Sequence, residues 1–212
     1  MELNFKGVNR YLTGTTTVGL KCRDGIILAT DRRVTSGYFI AHKKGRKIDV
    51  IDERIAVTIA GAVADAQRLV DRLKAEARLY RIANGKPMSV RSVASLASLL
   101  LFNVRPNLLL VHIIVGGVDE GGAALYNVDW FGTLTEEKYI ATGSGFQLAM
   151  GVIESMFRED MNVKEALPIA VKAVRAAMML DPGSGEGIDV VTVTEEGVKN
   201  LTDEEVRKIL YG

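Results

Sequence analysis

The spacing of apolar residues switches repeatedly between a strand-like and a helical pattern along the chain, and this succession narrows the fold most. Residues 15–22 alternate, with Thr16, Val18, Leu20 and Cys22 on one face and Thr15, Thr17 and Gly19 on the other. Asp24-Gly25 signals a hairpin turn, and residues 26–31 form the return strand. A basic loop at 42–46 leads to a second pair, 47–51 and 55–60, around a polar turn at 52–54. Residues 62–83 then place Leu69, Val70, Leu73, Ala77 and Tyr80 at helical spacing, with Gly85 as C-terminal cap. Ser89 caps a second helix to about residue 104, stopped by Pro106. Residues 108–115, an apolar run ending before Gly116-Gly117, read as a buried strand, followed by strands at 123–128 and 139–142. Helices are expected at 146–158 and 163–180, the latter capped by Asn162 and interrupted by Pro168. Residues 188–194 and 198–201 form a last hairpin, and Thr202 with Glu205 makes a capping box for a terminal helix.

Strands, two helices, strands, two helices, strands: a parallel doubly wound sheet needs one helix per strand and is excluded. Two antiparallel sheets packed face to face, with a helix pair on each outer side, bury every apolar face. The 212 residues suit one domain. A net charge of +1, from 27 basic and 26 acidic residues, gives no electrostatic footprint for nucleic acid or an anionic membrane. The single cysteine, Cys22, rules out an internal disulfide, and His42 and His112 alone leave a zinc site short of ligands. Residues 1–14 lack the apolar centre of a signal peptide, and the 108–115 run falls far short of the roughly 20 residues a spanning helix needs, so a cytoplasmic protein is expected.

The common catalytic signatures fail. Neither Ser144 nor Ser184 sits in a serine elbow, because Thr142 and Pro182 stand where the first glycine belongs. Cys22 shares its face with Val18 and Leu20 and reads as a structural thiol. The 142–145 segment, TGSG, lies between strand and helix as a dinucleotide loop does, but Leu148 replaces the third glycine. The informative segment is Gly14-Thr15-Thr16-Thr17. A threonine hydroxyl needs a base, and an N-terminal threonine carries one in its own α-amine, whose pKa is about 7.7–8.0. The same triplet also suits the opening of an ordinary strand.

GTTTVGL (14–20), ATDRRVT (29–35), GRK (45–47), TIAGAVADAQ (58–67), TGSG (142–145) and LDPGSGEGIDV (180–190) occur in this order. Together they resemble the β subunit of the 20S proteasome, best the catalytic archaeal type, over essentially the whole chain. The resemblance implies an α+β fold, the four-layer αββα sandwich of the N-terminal nucleophile hydrolases. It implies a propeptide at 1–14, removed by autocatalytic cleavage at Gly14-Thr15, and a single domain at 15–212. Thr15 would be the nucleophile, Asp31 and Lys47 its charged partners, and Gly61 the oxyanion donor. Ser144, Asp181 and Ser184 would support the threonine amine and hydroxyl. Val34, Gly45, Ile59 and Val63 match the first substrate pocket, implying cleavage after hydrophobic residues; Asp49, at its rim, would admit some basic side chains. Thr35, Gly61 and Val63 match backbone positions that pair with an extended peptide. No metal or organic cofactor is implied. The implied partners are α-subunit rings, other β subunits in heptameric rings stacked back to back, unfolded polypeptides, and regulatory ATPases acting through the α ring. The alternative is an unprocessed, silent β subunit in a mixed ring.

Overall fold

The computed structural model describes residues 14–212. The chain opens with β1 (Thr16–Cys22) and β2 (Gly25–Asp31), then a small hairpin of β3 (Val34–Ser36) and β4 (Phe39–His42). It continues through β5 (Ile48–Asp52), β6 (Ile55–Gly61), α1 (Val63–Asn84) and α2 (Val90–Asn103). Next come β7 (Val111–Asp119), β8 (Gly122–Val128), β9 (Leu134–Glu136) and β10 (Tyr139–Gly143). The rest is α3 (Phe146–Met156), α4 (Val163–Leu180), β11 (Ile188–Thr194), β12 (Gly197–Asn200) and α5 (Asp203–Tyr211).

Two five-stranded antiparallel sheets result, one ordered β10-β1-β2-β11-β12 and the other β5-β6-β7-β8-β9. The period-two pattern divides their faces. Ile26 and Leu28 of β2, Val191 and Val193 of β11, and Ile114 and Leu125 of the second sheet fill the space between the sheets. Val18, Leu20, Cys22, Ile27 and Ala29 turn outward onto α3 and α4. Val57, Ile113 and Val115 turn outward onto α1 and α2. The architecture is thus the expected four-layer αββα sandwich. Burial pushes the Cys22 thiol up to about 12, as fits a structural cysteine.

Several boundaries differ from the sequence reading. The first hairpin turns on Arg23-Asp24, because Cys22 pairs with Gly25, which already belongs to β2. The strand expected at 108–115 starts at Val111 and runs through Gly116 and Gly117 to Asp119. Those glycines are not a turn: a Cβ on Gly116 would lie 2.6 Å from Ile26 Cγ2 across the sheet interface. The first helix of the second pair stops at Met156 rather than 158. β3, β4 and β9 are too short to show a period, and only the structure reveals them. Helix α4 runs through Pro168, held by a buried face that includes Ile169, Val171 and Val174. The expected capping box of Thr202 with Glu205 forms, and Asn162, expected only as a cap, makes a second box with Glu165.

Candidate active site

Strand ends and loops gather a polar cluster at one edge of the sandwich. Thr15 immediately precedes β1, and the antiparallel register of β1 and β2 brings the end of β2, Asp31, beside it. Lys47 immediately precedes β5, and Gly61 ends β6. Ser144 lies between β10 and α3, Asp181 caps the C-terminus of α4, and Ser184 lies in the loop before β11.

Asp31 is the hub and is fully buried. Its Oδ1 accepts from Lys47 Nζ at 2.6 Å, from the Thr16 N–H at 2.8 Å and from Thr15 Oγ1 at 3.4 Å. Its Oδ2 accepts from the Arg33 and Gly185 N–H groups, both at 2.9 Å. A buried carboxylate needs such a full set of donors. Burial pushes the Lys47 ammonium below the ordinary lysine value, and the adjacent Asp31 charge opposes that shift. The pair therefore holds a cation beside the threonine hydroxyl that gives up its proton more readily than a surface lysine does.

A second network surrounds the Thr15 nitrogen, which donates to Ser144 Oγ at 3.1 Å. Asp181 Oδ2 accepts from the hydroxyls of Ser144 and Ser184, each at 2.6 Å. Thr16 Oγ1 lies 2.7 Å from Ser184 Oγ, whose own proton is committed to Asp181, so Thr16 is the donor. With its proton on Asp181, Ser144 presents lone pairs to the Thr15 nitrogen. On the other side of the Gly14–Thr15 bond, the Gly14 N–H donates to Thr35 Oγ1 at 2.6 Å. The bond is thus held from both flanks by hydroxyl groups. The Thr15 nitrogen that rests on Ser144 is the amide of this bond.

Two clefts meet at this bond, sharing Gly14, Ala60 and Gly61. One, of ≈ 620 Å³, is lined by Val34, Gly45, Ile59 and Val63. The other, of ≈ 530 Å³, has Leu110, Trp130 and Phe146 in its walls. Gly61 has φ +120°, and a Cβ there would meet Leu110 O at 2.0 Å, so only glycine fits between the clefts. Asp49 is not among the lining residues; it is paired with Lys74 Nζ at 2.7 Å. The cluster thus brings together Thr15, Asp31 and Lys47, and beside them Ser144, Asp181 and Ser184. Sequence reasoning missed the hydroxyls of Thr16 and Thr35, the latter expected to act through its backbone. Nothing distinguishes those two from strand threonines until the register is known. Residues 1–13 of the expected propeptide lie outside the described residues. Among the described residues no helix is long and apolar enough to cross a membrane.

Fold and cluster define an αββα sandwich with a threonine, a lysine and an aspartate at one sheet edge. The family model described as "Proteasome subunit" matches residues 11–193. The chain is 55% identical to "Proteasome subunit beta 1" of Pyrobaculum calidifontis over 182 residues, 85% of this chain and 90% of that relative. It is 52% identical to "Proteasome subunit beta 2" of Pyrobaculum islandicum over 88% of this chain and 94% of the relative. It is 48% identical to "Proteasome subunit beta" of Methanothermobacter thermautotrophicus over 93% of this chain and 94% of the relative. The chain belongs to the proteasome family, as a β subunit.

Proposed function

We propose that the chain is a threonine endopeptidase of the proteasome core, made active when the Gly14–Thr15 bond cuts itself. What supports this reading above all is the Thr15 hydroxyl facing the buried Lys47–Asp31 pair while its nitrogen rests on Ser144. In maturation, Thr15 Oγ attacks the Gly14 carbonyl, the nitrogen leaves as an amine, and water resolves the ester, releasing residues 1–14. In turnover the same oxygen attacks a substrate carbonyl and passes its proton to the Thr15 amine, directly or through water. Lys47, held by Asp31, stabilises negative charge on Oγ. Gly61, which lines both clefts beside Thr15, would supply a backbone N–H to the developing oxyanion, and one such donor is worth about 3 kcal/mol. The Ser144–Asp181–Ser184 network keeps the amine oriented. The amine then protonates the leaving group, and water hydrolyses the acyl ester. The apolar walls at Val34, Ile59 and Val63 favour hydrophobic side chains on the acyl side of the bond. The subunit works within heptameric β rings stacked between α rings, where unfolded polypeptides reach it.

The test is the intact mass of this chain after co-assembly with its α partner. A species beginning at Thr15 is expected, together with peptidase activity. Thr15→Ala is expected to abolish both; activity surviving that change would end the mechanism, and a fully assembled particle retaining residues 1–14 would favour a silent structural subunit.

A further inference from the structure

The ≈ 620 Å³ cleft beside Thr15 carries an unbalanced charge. Among the described residues its lining includes Arg33, His42, Lys43, Lys44 and Arg46, besides Lys47, and no aspartate or glutamate. The whole chain has a net charge of only +1, so this is a local concentration of charge. The cations are also not all spent internally. Lys47 is committed to Asp31, and Arg33 is bridged to Glu186 at 3.2 Å. Lys43 and Lys44 make no ion pair among the described residues and are exposed. Asp203 feels the charge of Lys44 but is itself bridged to Arg32 at 2.5 Å. Ile59 and Ala66 are buried in this lining, as is Lys47 in its pair with Asp31, whereas His42, Lys43, Lys44 and Arg46 are exposed, together with the apolar Val63. A side chain that reaches Ile59 and Ala66 meets hydrocarbon, while the residues flanking it lie against ammonium and guanidinium groups. Asp49, the one carboxylate expected at this rim, is held by Lys74 instead.

We propose that this cleft selects peptides with an aliphatic side chain flanked by carboxylates, so that acidic unfolded segments are preferred substrates. The inference rests on the protease reading above and names its substrate class. An exposed charge pair contributes little alone, but several cations of one sign around one mouth add to a field that a flexible peptide samples. The assembled particle, made with the full chain and its α partner, would be given three fluorogenic peptides. All carry leucine before the reporter, preceded by two glutamates, two serines or two lysines. The expected result is kcat/KM for the glutamate peptide roughly three- to tenfold above the lysine peptide, most of it in KM. The gap should close at 1 M salt, where the screening length falls to about 3 Å. The double variant Lys43→Glu, Lys44→Glu should invert the ranking. Equal kcat/KM for the acidic and basic peptides, in a particle that cleaves the serine peptide, would overturn the inference and leave the protease reading intact. Cleavage of none of the three would overturn both.

Discussion

Lys47 is buried beside Asp31, and its lowered pKa has two consequences of opposite sign. Between its folded pKa and the ordinary value of 10.5, the unfolded chain keeps a proton that the folded chain has released. In that window the unfolded state binds more protons, so this group's contribution to stability rises with pH. Peptidase activity should move the other way. If the ammonium stabilises the Thr15 oxygen, kcat falls as Lys47 loses its proton, and the alkaline limb begins below 10.5. A kcat–pH profile checks this, with urea melts over the same range; activity that climbs through the window would make neutral Lys47 the base instead. On the proposed mechanism Thr35 would act at an earlier step. Its hydroxyl holds the Gly14 N–H, a contact that exists only while the Gly14–Thr15 bond is intact. Thr35→Val keeps the shape and removes the acceptor, leaving a buried N–H unpaired at a cost of about 1–3 kcal/mol. Self-processing, followed by intact mass against time, should slow by about tenfold or more. The processed particle should lose far less activity, and equal slowing of both would point to a general packing role.

Helix α4 shows how an element far longer than the site serves it. It starts at the capping box of Asn162 and Glu165, lays its apolar face on the first sheet, and ends at Asp181, which organises two serines. Asn162→Ala should lower stability by about 1 kcal/mol, measured by urea denaturation of the assembled or isolated subunit. Turnover should stay within about twofold, because the buried stripe from Ala166 to Ala177 sets the position of Asp181. A large loss of turnover with unchanged stability would mean that the helix transmits its N-terminal geometry to the site. The two signals that define this helix, the cap and the periodic stripe, are local, and both were legible in the sequence; so were the helix pairs and the long strands. The strand was expected to end before Gly116 and Gly117, and only the close approach of Ile26 to Gly116 and of the Arg54 carbonyl to Gly117 explains why glycines continue it. The site divides the same way. Thr15, Asp31 and Lys47 were legible through a resemblance spread over many motifs. The bonds of Thr16 and Thr35 join residues 168 and 21 positions apart and depend on loop conformation that no local pattern encodes.

At the scale of the whole molecule, the sandwich buries three apolar cores yet leaves large apolar side chains uncovered on both helical layers. Leu79, Ile82 and Leu99 of the α1–α2 layer are 59%, 76% and 53% exposed, and Met179 and Leu180 at the end of α4 are 69% and 74% exposed. Scattered surface leucines need no explanation, but apolar groups on opposite outer layers suit a subunit that is covered from two sides. This agrees with membership of a family whose members are subunits of one particle. The site lies at strand ends, in loops and at the start of α1, whereas Leu79 and Ile82 lie towards the opposite, C-terminal end of that helix. Assembly and the intrinsic fold should therefore separate. Ile82→Glu places a charge where the isolated subunit already meets water, so its thermal midpoint should change by no more than about what 0.5 kcal/mol produces. Buried in a contact with another subunit, the same carboxylate would be desolvated without a partner, costing several kcal/mol. Size-exclusion chromatography after co-expression with the α partner should show this chain leaving the particle fraction and running as a small folded species. A particle yield equal to that of the unchanged chain would place the α1–α2 surface on the outside of the assembly.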